Sequence, residues 1–266
     1  MSVDIQDRLL SITGVVVRWL VYVMLLLPAI IVVATSFTPG TALTFPPPGF
    51  SLRWYIAVWE SSLFMSSLGL SLRLAALATV CSLIIGLAAT FATDRYVFRG
   101  RDFVRGFLLS PLLIPTVVLG LGLMQFLIWI GLNQTFIGLL LGHLVITLPY
   151  VVRTLTASMV LFDRNLEQAA MSLRATPARV FRTITIPLLF PGIMSAMVFA
   201  FVTSFGNVTL SVFLSYQDRI TLPIRVLTYV EQNYDPLVAA VSSIVIFVTV
   251  FTIFLADRLS GSRSVI

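Results

Sequence analysis

The chain has 266 residues, of which 58% are hydrophobic and 11% are charged, and its formal net charge is +6. Soluble domains carry about 25% charged residues, so this composition excludes a soluble globular protein and indicates an all-α integral membrane protein. The basic residues are all arginine, and in a membrane chain their placement indicates topology rather than nucleic-acid binding. The single cysteine, Cys81, excludes a disulfide or a cysteine metal site within the chain.

Six apolar segments are long enough to cross a bilayer, which requires about 20 residues of helix. The predicted spans are 14–37, 68–93, 107–131, 136–157, 192–214 and 236–256. The first is longer than the apolar core of a signal peptide and lacks a cleavage site of small residues, so we expect it to be retained. No stretch between the spans is long enough for a soluble domain, and residues 1–266 are predicted to form one transmembrane domain.

The arginines lie mostly in segments that would share one side of the membrane. With the N-terminus inside, thirteen arginines fall on the inner side and four on the outer side. The inner set is Arg8, Arg18, Arg95, Arg99, Arg101, Arg105, Arg153, Arg164, Arg174, Arg179, Arg182, Arg258 and Arg263, and the outer set is Arg53, Arg73, Arg219 and Arg225. This bias predicts that both termini and the segment 163–187 face the cytoplasm.

Residues that carry catalysis or ion coupling are nearly missing. The chain has no GxxxxGK[ST] phosphate loop, and a single histidine, His143, excludes an HExxH metalloprotease. No GxSxG accompanies His143, which argues against an intramembrane hydrolase, and we predict that its ring is hydrogen-bonded inside the bundle. Carboxylates are almost absent from the spans, which disfavours a proton- or sodium-coupled carrier. The pattern favours a transporter that receives its energy from another subunit.

Residues 163–187, called the hairpin below, form a basic, helix-prone segment between two apolar spans. Asp163 is a candidate cap for a first short helix, and Thr176-Pro177 is typical of the N-cap and first residue of a second. Arg174-Ala175 would form the bend between them. The first helix carries a narrow apolar stripe that comprises Leu166, Ala169, Ala170 and Leu173. Such a hairpin either contacts a partner protein or lies on the bilayer surface as an amphipathic loop.

The hairpin matches a known spacing: Gln168-Ala169-Ala170, then Arg174, then Ile184-Thr185-Ile186-Pro187. It resembles the EAA loop of the membrane permease subunits of bacterial ABC importers, in which EAA is followed by Gly and then by I-x-L-P. The similarity covers essentially the whole chain. RYVFRGR at 95–101, LLSPLLIPTVVLG at 108–120 and TLP at 221–223 resemble the spermidine/putrescine branch of that family.

The resemblance implies a type I ABC importer permease fold in the bacterial inner membrane, with six transmembrane helices and a cytoplasmic coupling helix. It implies a second, non-identical permease subunit, two copies of an ABC ATPase that binds ATP and Mg, and a substrate-binding protein outside. It implies no cofactor or catalytic residue in this chain. The coupling residues carried over are Glu167, Gln168, Ala169, Ala170, Leu173 and Arg174. The alanines would let the ATPase approach closely, and Glu167 and the arginines would make charged contacts at the rim.

The hairpin departs from the family pattern at two positions. Gln168 replaces the usual Glu, and Arg174 replaces the usual Gly, which suits a left-handed bend that costs an arginine about 1 kcal/mol. Glu167, one residue earlier, is a candidate to take the role of the missing acid.

The fifth span supplies candidates for the substrate path. Its scattered polar residues are Ser204, Asn207, Thr209 and Ser211, and the alternative is that they form hydrogen bonds between helices. Within the branch that the chain resembles, polyamine is the expected cargo, although Gly206-Asn207 stands where polyamine permeases often carry acids. The alternatives are an importer of an opine, aminophosphonate, amino-acid derivative, ferric iron, thiamine or sulfate, and a channel subunit that needs no ATPase.

Overall fold

The computed structural model of the protein describes residues 2–216 and 219–260, with side chains from residue 12 onward. Two predicted inner-side arginines are affected: Arg263 and the side chain of Arg8 lie outside what is described. Helices dominate, and the described residues contain no strand beyond one isolated bridge. The helices are α1 Ser2–Thr35, α2 Arg53–Glu60, α3 Ser62–Arg95, α4 Arg101–Leu109, α5 Thr116–Trp129, α6 Phe136–Val160, α7 Asn165–Ser172, α8 Pro177–Val180, α9 Ile186–Phe205, α10 Thr209–Leu214, α11 Leu222–Val230 and α12 Leu237–Ser260.

Five of these helical segments have the length and apolar composition of a membrane span, and a bent pair of helices raises the number to six. The five are Ile12–Thr35, Ser62–Arg95, Phe136–Val160, Pro177–Phe205 and Leu237–Ser260. The bent pair joins Arg101–Leu113 to Thr116–Trp129. Each of the six predicted spans therefore overlaps one of these segments, but two of them differ from the prediction in a way that matters for the site.

The predicted third span, 107–131, is not one continuous helix. It divides at Ile114, and the two parts of the chain are bent by 110°. Pro111 lies in a short 3₁₀ segment, Ser110–Leu113, and Pro115 precedes α5. Proline lacks the backbone donor and disfavours the helical conformation in the residue before it, and Ile114 is accordingly extended.

The predicted fifth span, 192–214, is also broken. α9 ends at Phe205, the chain leaves the helix at Gly206, and α10 begins at Thr209. The side chain of Asn207 accepts a hydrogen bond from the backbone N–H of Leu210 at 2.9 Å, which caps α10. Asn207 is a polar residue inside an apolar run. Its hydrogen bond to the start of α10 competes with continuation of α9, which explains the break.

The chain divides into two compact units. The first comprises the described residues up to Met65 together with Val226–Val248. Within it, α2 holds the proline-rich loop that follows α1: the Trp54 indole donates to the Gly40 carbonyl, and Ser36 and Tyr55 share a hydrogen bond of 2.7 Å. The region between α1 and α3 therefore contains a helix of its own, α2.

The second unit comprises Ser66–Arg225 and the described residues from Thr249, and it contains the hairpin. Its core centres on α6, where Gly142 lets the side chain of Leu214 approach the helix backbone. One buried cluster comprises Leu74, Leu127, Leu139, Ile146, Leu210 and Leu214. A second joins α6 to α9 and comprises Val151, Leu155, Ala196 and Ala200. These contacts fix α9 and α10 against α6, so both sides of the Gly206 break have a rigid support.

Candidate functional site

The hairpin has the two short helices that its capping residues predict. The Asp163 carboxylate accepts from the backbone N–H of Asn165 at 2.9 Å, at the start of α7. Thr176 accepts from the N–H of Arg179 at 3.4 Å, and Pro177 is the first residue of α8. After α8 the chain continues through a π-helical turn, Phe181–Thr185, into α9. The hairpin is therefore joined to a long apolar helix without an intervening loop.

Arg174 makes the bend between α7 and α8 in the left-handed conformation, with φ of 64°. Its N–H donates to the Met171 carbonyl at 2.9 Å, and the N–H of Ala175 donates to the Ala170 carbonyl at 3.1 Å. This pair of bonds is the Schellman arrangement, in which glycine is the usual left-handed residue. Arg174 adopts it at a cost of about 1–2 kcal/mol, so the predicted bend keeps its geometry without the glycine.

One face of α7 is exposed, and none of its residues is buried. Gln168 and Ala169 are open on this face, and Leu173 at the C-terminal end is 84% exposed. Leu166 and Met171 are each 47% exposed, whereas Ala170 is half-buried. The predicted apolar stripe is thus present, and the described residues of this chain do not cover it.

Glu167 points away from this exposed face and pairs within the chain, and its contact with a partner protein stays a prediction. Its carboxylate accepts from Arg95 Nη2 at 3.1 Å and from the Thr185 hydroxyl at 2.6 Å. The Glu167 side chain is only 13% exposed. A carboxylate enclosed in this way ties α7 to the end of α3 and to the start of α9. The charge at position 167 is therefore internal to the chain, and Gln168 occupies the exposed position.

Arg95 is a residue of this site that the sequence patterns did not single out. Its side chain is 11% exposed and donates to Asp94 at 3.1 Å as well as to Glu167. The guanidinium lies over the rings of Phe91 and Phe162, at 5.8 and 5.1 Å from the ring centres. The sequence offered only a weak signal, an arginine two residues beyond the predicted span 68–93.

His143 joins the two helices on either side of the Gly206 break. Its ring nitrogens lie 2.8 Å from the Ser204 hydroxyl on α9 and 3.0 Å from the Ser211 hydroxyl on α10. All three side chains are buried. Ser204 and Ser211, two of the predicted path residues, thus form hydrogen bonds between helices with His143, and their role in the substrate path stays a prediction.

The other two predicted path residues differ from each other. Thr209 is half-buried at the first position of α10. Asn207 lines a cavity of about 120 Å³ that also touches the break before α5. The polar residues of this cavity are Thr116, Tyr150, Thr203 and Asn207, and none of its lining residues is charged. The two broken helices thus meet at one small neutral cavity. Among the described residues, no group of three or more His, Cys, Asp or Glu is placed to hold a metal ion.

Three comparisons with known proteins agree with this geometry. The family described as "Binding-protein-dependent transport system inner membrane component" matches residues 82–264. The spermidine/putrescine transport system permease protein PotC of Haemophilus influenzae is 29% identical over 247 residues, which cover 92% of this chain and 95% of that protein. The putrescine transport system permease protein PotI of Escherichia coli is 30% identical over 241 residues, with 87% and 85% covered.

Among solved structures, a chain from a bacterial ABC transporter involved in the import of the acidic polysaccharide alginate has the same architecture. It superposes with a TM-score of 0.73 at 15% sequence identity and covers 98% of each chain. At this identity the likeness concerns the fold alone.

Proposed function

The chain belongs to the family of binding-protein-dependent transport system inner membrane components, and from this premise we propose that it is the subunit through which a polyamine is imported. The predicted family and the all-α permease fold are confirmed, and the chain is a permease subunit of an ABC importer. The proposal adds the cargo, the surface that receives the ATPase, and the orientation in the membrane.

We assign the ATPase contact to the exposed face of α7. This assignment rests on the different exposure of neighbouring residues. Glu167 is enclosed by Arg95 and Thr185. The side chains that are exposed to solvent are Gln168, Ala169 and Leu173. Small and apolar side chains allow a partner backbone to approach closely, and the Gln168 amide offers both a donor and an acceptor there. The family's acid is thus replaced on the exposed side by a neutral hydrogen-bonding group.

Motion of the ATPase would reach the membrane helices through the two attachments of α7. The Glu167 carboxylate connects it to α3 through Arg95, and the continuous chain from α8 through Phe181–Thr185 connects it to α9. The Thr185 hydroxyl on Glu167 closes the loop between these two attachments. With these contacts α7, the end of α3 and the start of α9 would move together, as coupling requires.

The remaining parts of the assembly follow from the family. A non-identical second permease would complete the path, two ATPase subunits would bind ATP and Mg, and a substrate-binding protein would dock outside. The hairpin and both termini would face the cytoplasm, in line with the arginine bias.

Polyamine cargo is proposed from the relatives together with the cavity chemistry. PotC and PotI are named for spermidine and putrescine. Thr116, Tyr150 and Thr203 line the cavity. Hydroxyl oxygens accept hydrogen bonds from ammonium groups, and aromatic rings attract cations. No lining residue is acidic, so the charge that balances the cargo would come from the second permease.

The decisive experiment is reconstitution of the permease with its second permease, ATPase and binding protein in vesicles, followed by ATP-dependent uptake assays. Labelled putrescine and spermidine are compared with an opine, an aminophosphonate, thiamine and sulfate. ATP-dependent accumulation of a polyamine in preference to these supports the proposal. Uptake of another solute alone would overturn the cargo, and failure of an ATPase to co-purify would overturn the contact on α7.

A further inference from the structure

The segment that follows α3 carries an unusual mixture of exposed rings and arginines. In α4 no residue is buried, and Phe103 and Phe107 are 76% and 66% exposed. Their rings stack on each other at 6.2 Å. Just before the helix, Tyr96 and Val97 are also exposed. Exposed rings interleaved with arginines are typical of a helix that lies at the boundary between headgroups and hydrocarbon.

Two arginines of α4 converge on one backbone oxygen. Arg101 Nε and Arg105 Nη2 donate to the carbonyl of Thr93, at 2.5 and 2.7 Å. This carbonyl belongs to the last turn of α3, which is left without intrahelical partners, so the contact is favourable. It also brings two positive charges together, and among the described residues no carboxylate lies within 4.0 Å of either guanidinium. The pair therefore lacks a counter-charge from the described chain, while several guanidinium N–H groups remain available.

The bend in the broken third span turns α4 away from the direction of α5. α5 has 14 residues and is about 21 Å long, shorter than the roughly 30 Å hydrocarbon core. The preceding segment, Arg101–Leu113, is bent by 110° from it. A segment turned in this way runs across the membrane edge of α5 rather than extending it. Since α4 starts six residues after α3 ends, and Arg95 at that end contacts Glu167, α4 is on the same side as the hairpin.

We propose that α4 is a binding surface for anionic phospholipid of the cytoplasmic leaflet, and this location rests on the proposed function. Phe103 and Phe107 insert at the level of the upper acyl chains. A lipid phosphate is held by the guanidinium groups of Arg101 and Arg105, with Arg99 at the edge. Arginine suits this role because its planar guanidinium offers paired donors to phosphate oxygens.

A headgroup bound at α4 would also act on the contacts that hold the hairpin. The two arginines hold the carbonyl of Thr93, two residues before Arg95, and Arg95 holds Glu167 of α7. A bound headgroup would neutralise the paired charges and so stabilise the contacts that keep the end of α3 in place. Anionic lipid would thus reinforce the attachment of the hairpin.

The test uses tryptophan quenching by lipid in the complete transporter. Phe103→Trp is introduced as a reporter, and the emission of the complex without it is subtracted. The complex is reconstituted in phosphatidylcholine vesicles that contain a minor fraction of brominated phosphatidylglycerol or, in parallel, brominated phosphatidylcholine. We expect stronger quenching by phosphatidylglycerol. The Arg101→Gln/Arg105→Gln pair should lower this preference by about fivefold for each arginine removed.

Two further variants separate charge from structure. Arg101→Lys/Arg105→Lys keeps both charges and should keep most of the preference. Arg18→Gln/Arg258→Gln removes two exposed arginines from α1 and α12 and should keep all of it. Equal loss in this control would mean that net charge alone attracts the lipid and would overturn the site. Equal loss in the lysine variant, with the complex still assembled, would reduce the arginines to structural contacts and also overturn it.

Two results for the reporter itself would overturn the proposal directly. Equal quenching by both lipids would remove the anionic preference, and no quenching by either would mean that protein covers this face. These failures differ from failure of the proposed function. A complex that co-purifies with its ATPase and imports solute but shows no lipid preference would refute only the lipid site. A lipid preference without ATP-dependent uptake would refute only the transport assignment.

Discussion

Arg95 and Glu167 lie 72 residues apart in the chain, and their side chains meet with 3.1 Å between Nη2 and Oε1. The contact joins the last residue of α3 to the first turn of α7, and it is shielded, since the two side chains are 11% and 13% exposed. A charge pair in such a site is expensive to break from one side, because the remaining charge keeps its desolvation penalty. The acid beside the EAA-like sequence therefore acts as an anchor within the permease.

Replacing Glu167 with Gln should loosen this anchor. The amide still accepts from Thr185, but it removes the negative charge that faces Arg95. We expect the free energy of unfolding to fall by about 1.5–3 kcal/mol, the usual worth of a hydrogen bond to a charged group. Solute transported per ATP hydrolysed should fall as well, because ATPase motion would no longer reach α3. Thermal unfolding of the purified complex and parallel uptake and ATPase assays measure both effects.

Arg164→Gln is the matched control for the anchor. It breaks the contact of Arg164 with Asp94, but Arg164 is 54% exposed, and such pairs contribute about 1 kcal/mol or less. A double-mutant cycle of Arg95→Gln and Glu167→Gln should give a coupling energy of about 0.5–3 kcal/mol. A coupling energy of zero would contradict a direct role for the pair.

Arg174→Gly should be tolerated or mildly stabilising, although it removes a charged side chain. The substitution removes the strain of about 1–2 kcal/mol that the left-handed conformation imposes on arginine. Glycine also makes the unfolded chain more flexible, which lowers the free energy of unfolding by about 0.5–1 kcal/mol. Arg179→Gly, in the helical conformation of α8, has no strain to relieve and should destabilise by about 0.5–1 kcal/mol. Thermal unfolding of both variants compares them. If the two lose the same stability, the Arg174 side chain makes a compensating contact and the strain argument is wrong.

His143→Leu should destabilise the bundle because the Ser204 hydroxyl would be left buried without its partner, and the Ser211 hydroxyl would keep only its bond to the Asn207 carbonyl. Each unpaired buried group costs about 1–3 kcal/mol. The triple variant His143→Leu/Ser204→Ala/Ser211→Ala removes the hydroxyls too and should recover a large part of the loss. Thermal unfolding in detergent provides the measurement. A triple variant as unstable as the single one would mean that packing of the ring, and not its hydrogen bonds, supports the break.

Ala169→Arg should abolish ATP-dependent uptake while leaving substrate capture by the binding protein intact. The new side chain projects from the exposed face of α7 and would prevent close approach of the ATPase. Ala178→Arg makes the same change at an exposed position of α8 and should retain assembly. Co-purification of the ATPase with each variant tests the contact, together with uptake into vesicles. Normal uptake by the Ala169 variant would show that the contact face lies elsewhere.

The two helices of the hairpin and the bend between them were predictable because their signals are local. Asp163 and Thr176 cap helices through neighbours two or three residues away, and the left-handed residue at 174 is fixed by the end of α7. Such contacts depend only on nearby sequence. For the same reason the spacing of the family motif survives two substitutions.

The breaks in the third and fifth spans were not predictable by the same reasoning. Proline within an apolar run is tolerated in membrane helices, so Pro111 and Pro115 do not by themselves decide between a kink and a full turn. The pairing of Glu167 with Arg95 was not predicted because the two residues are distant in sequence and are brought close only by packing. Ser204 and Ser211 were ambiguous until the position of His143 showed which way they point.

The neutral cavity beside Asn207 has a consequence for how cargo passes. Its volume of about 120 Å³ is below the roughly 300–1,000 Å³ of pockets that enclose small-molecule ligands. If a polyamine passes at this cavity, as proposed, room for it must be created there during each cycle. The breaks in two helices border that space. Helical hydrogen bonds are already interrupted at these breaks, so widening the space there would break fewer backbone hydrogen bonds than elsewhere. Passage would then be brief, and selection of the solute would be largely complete before it enters.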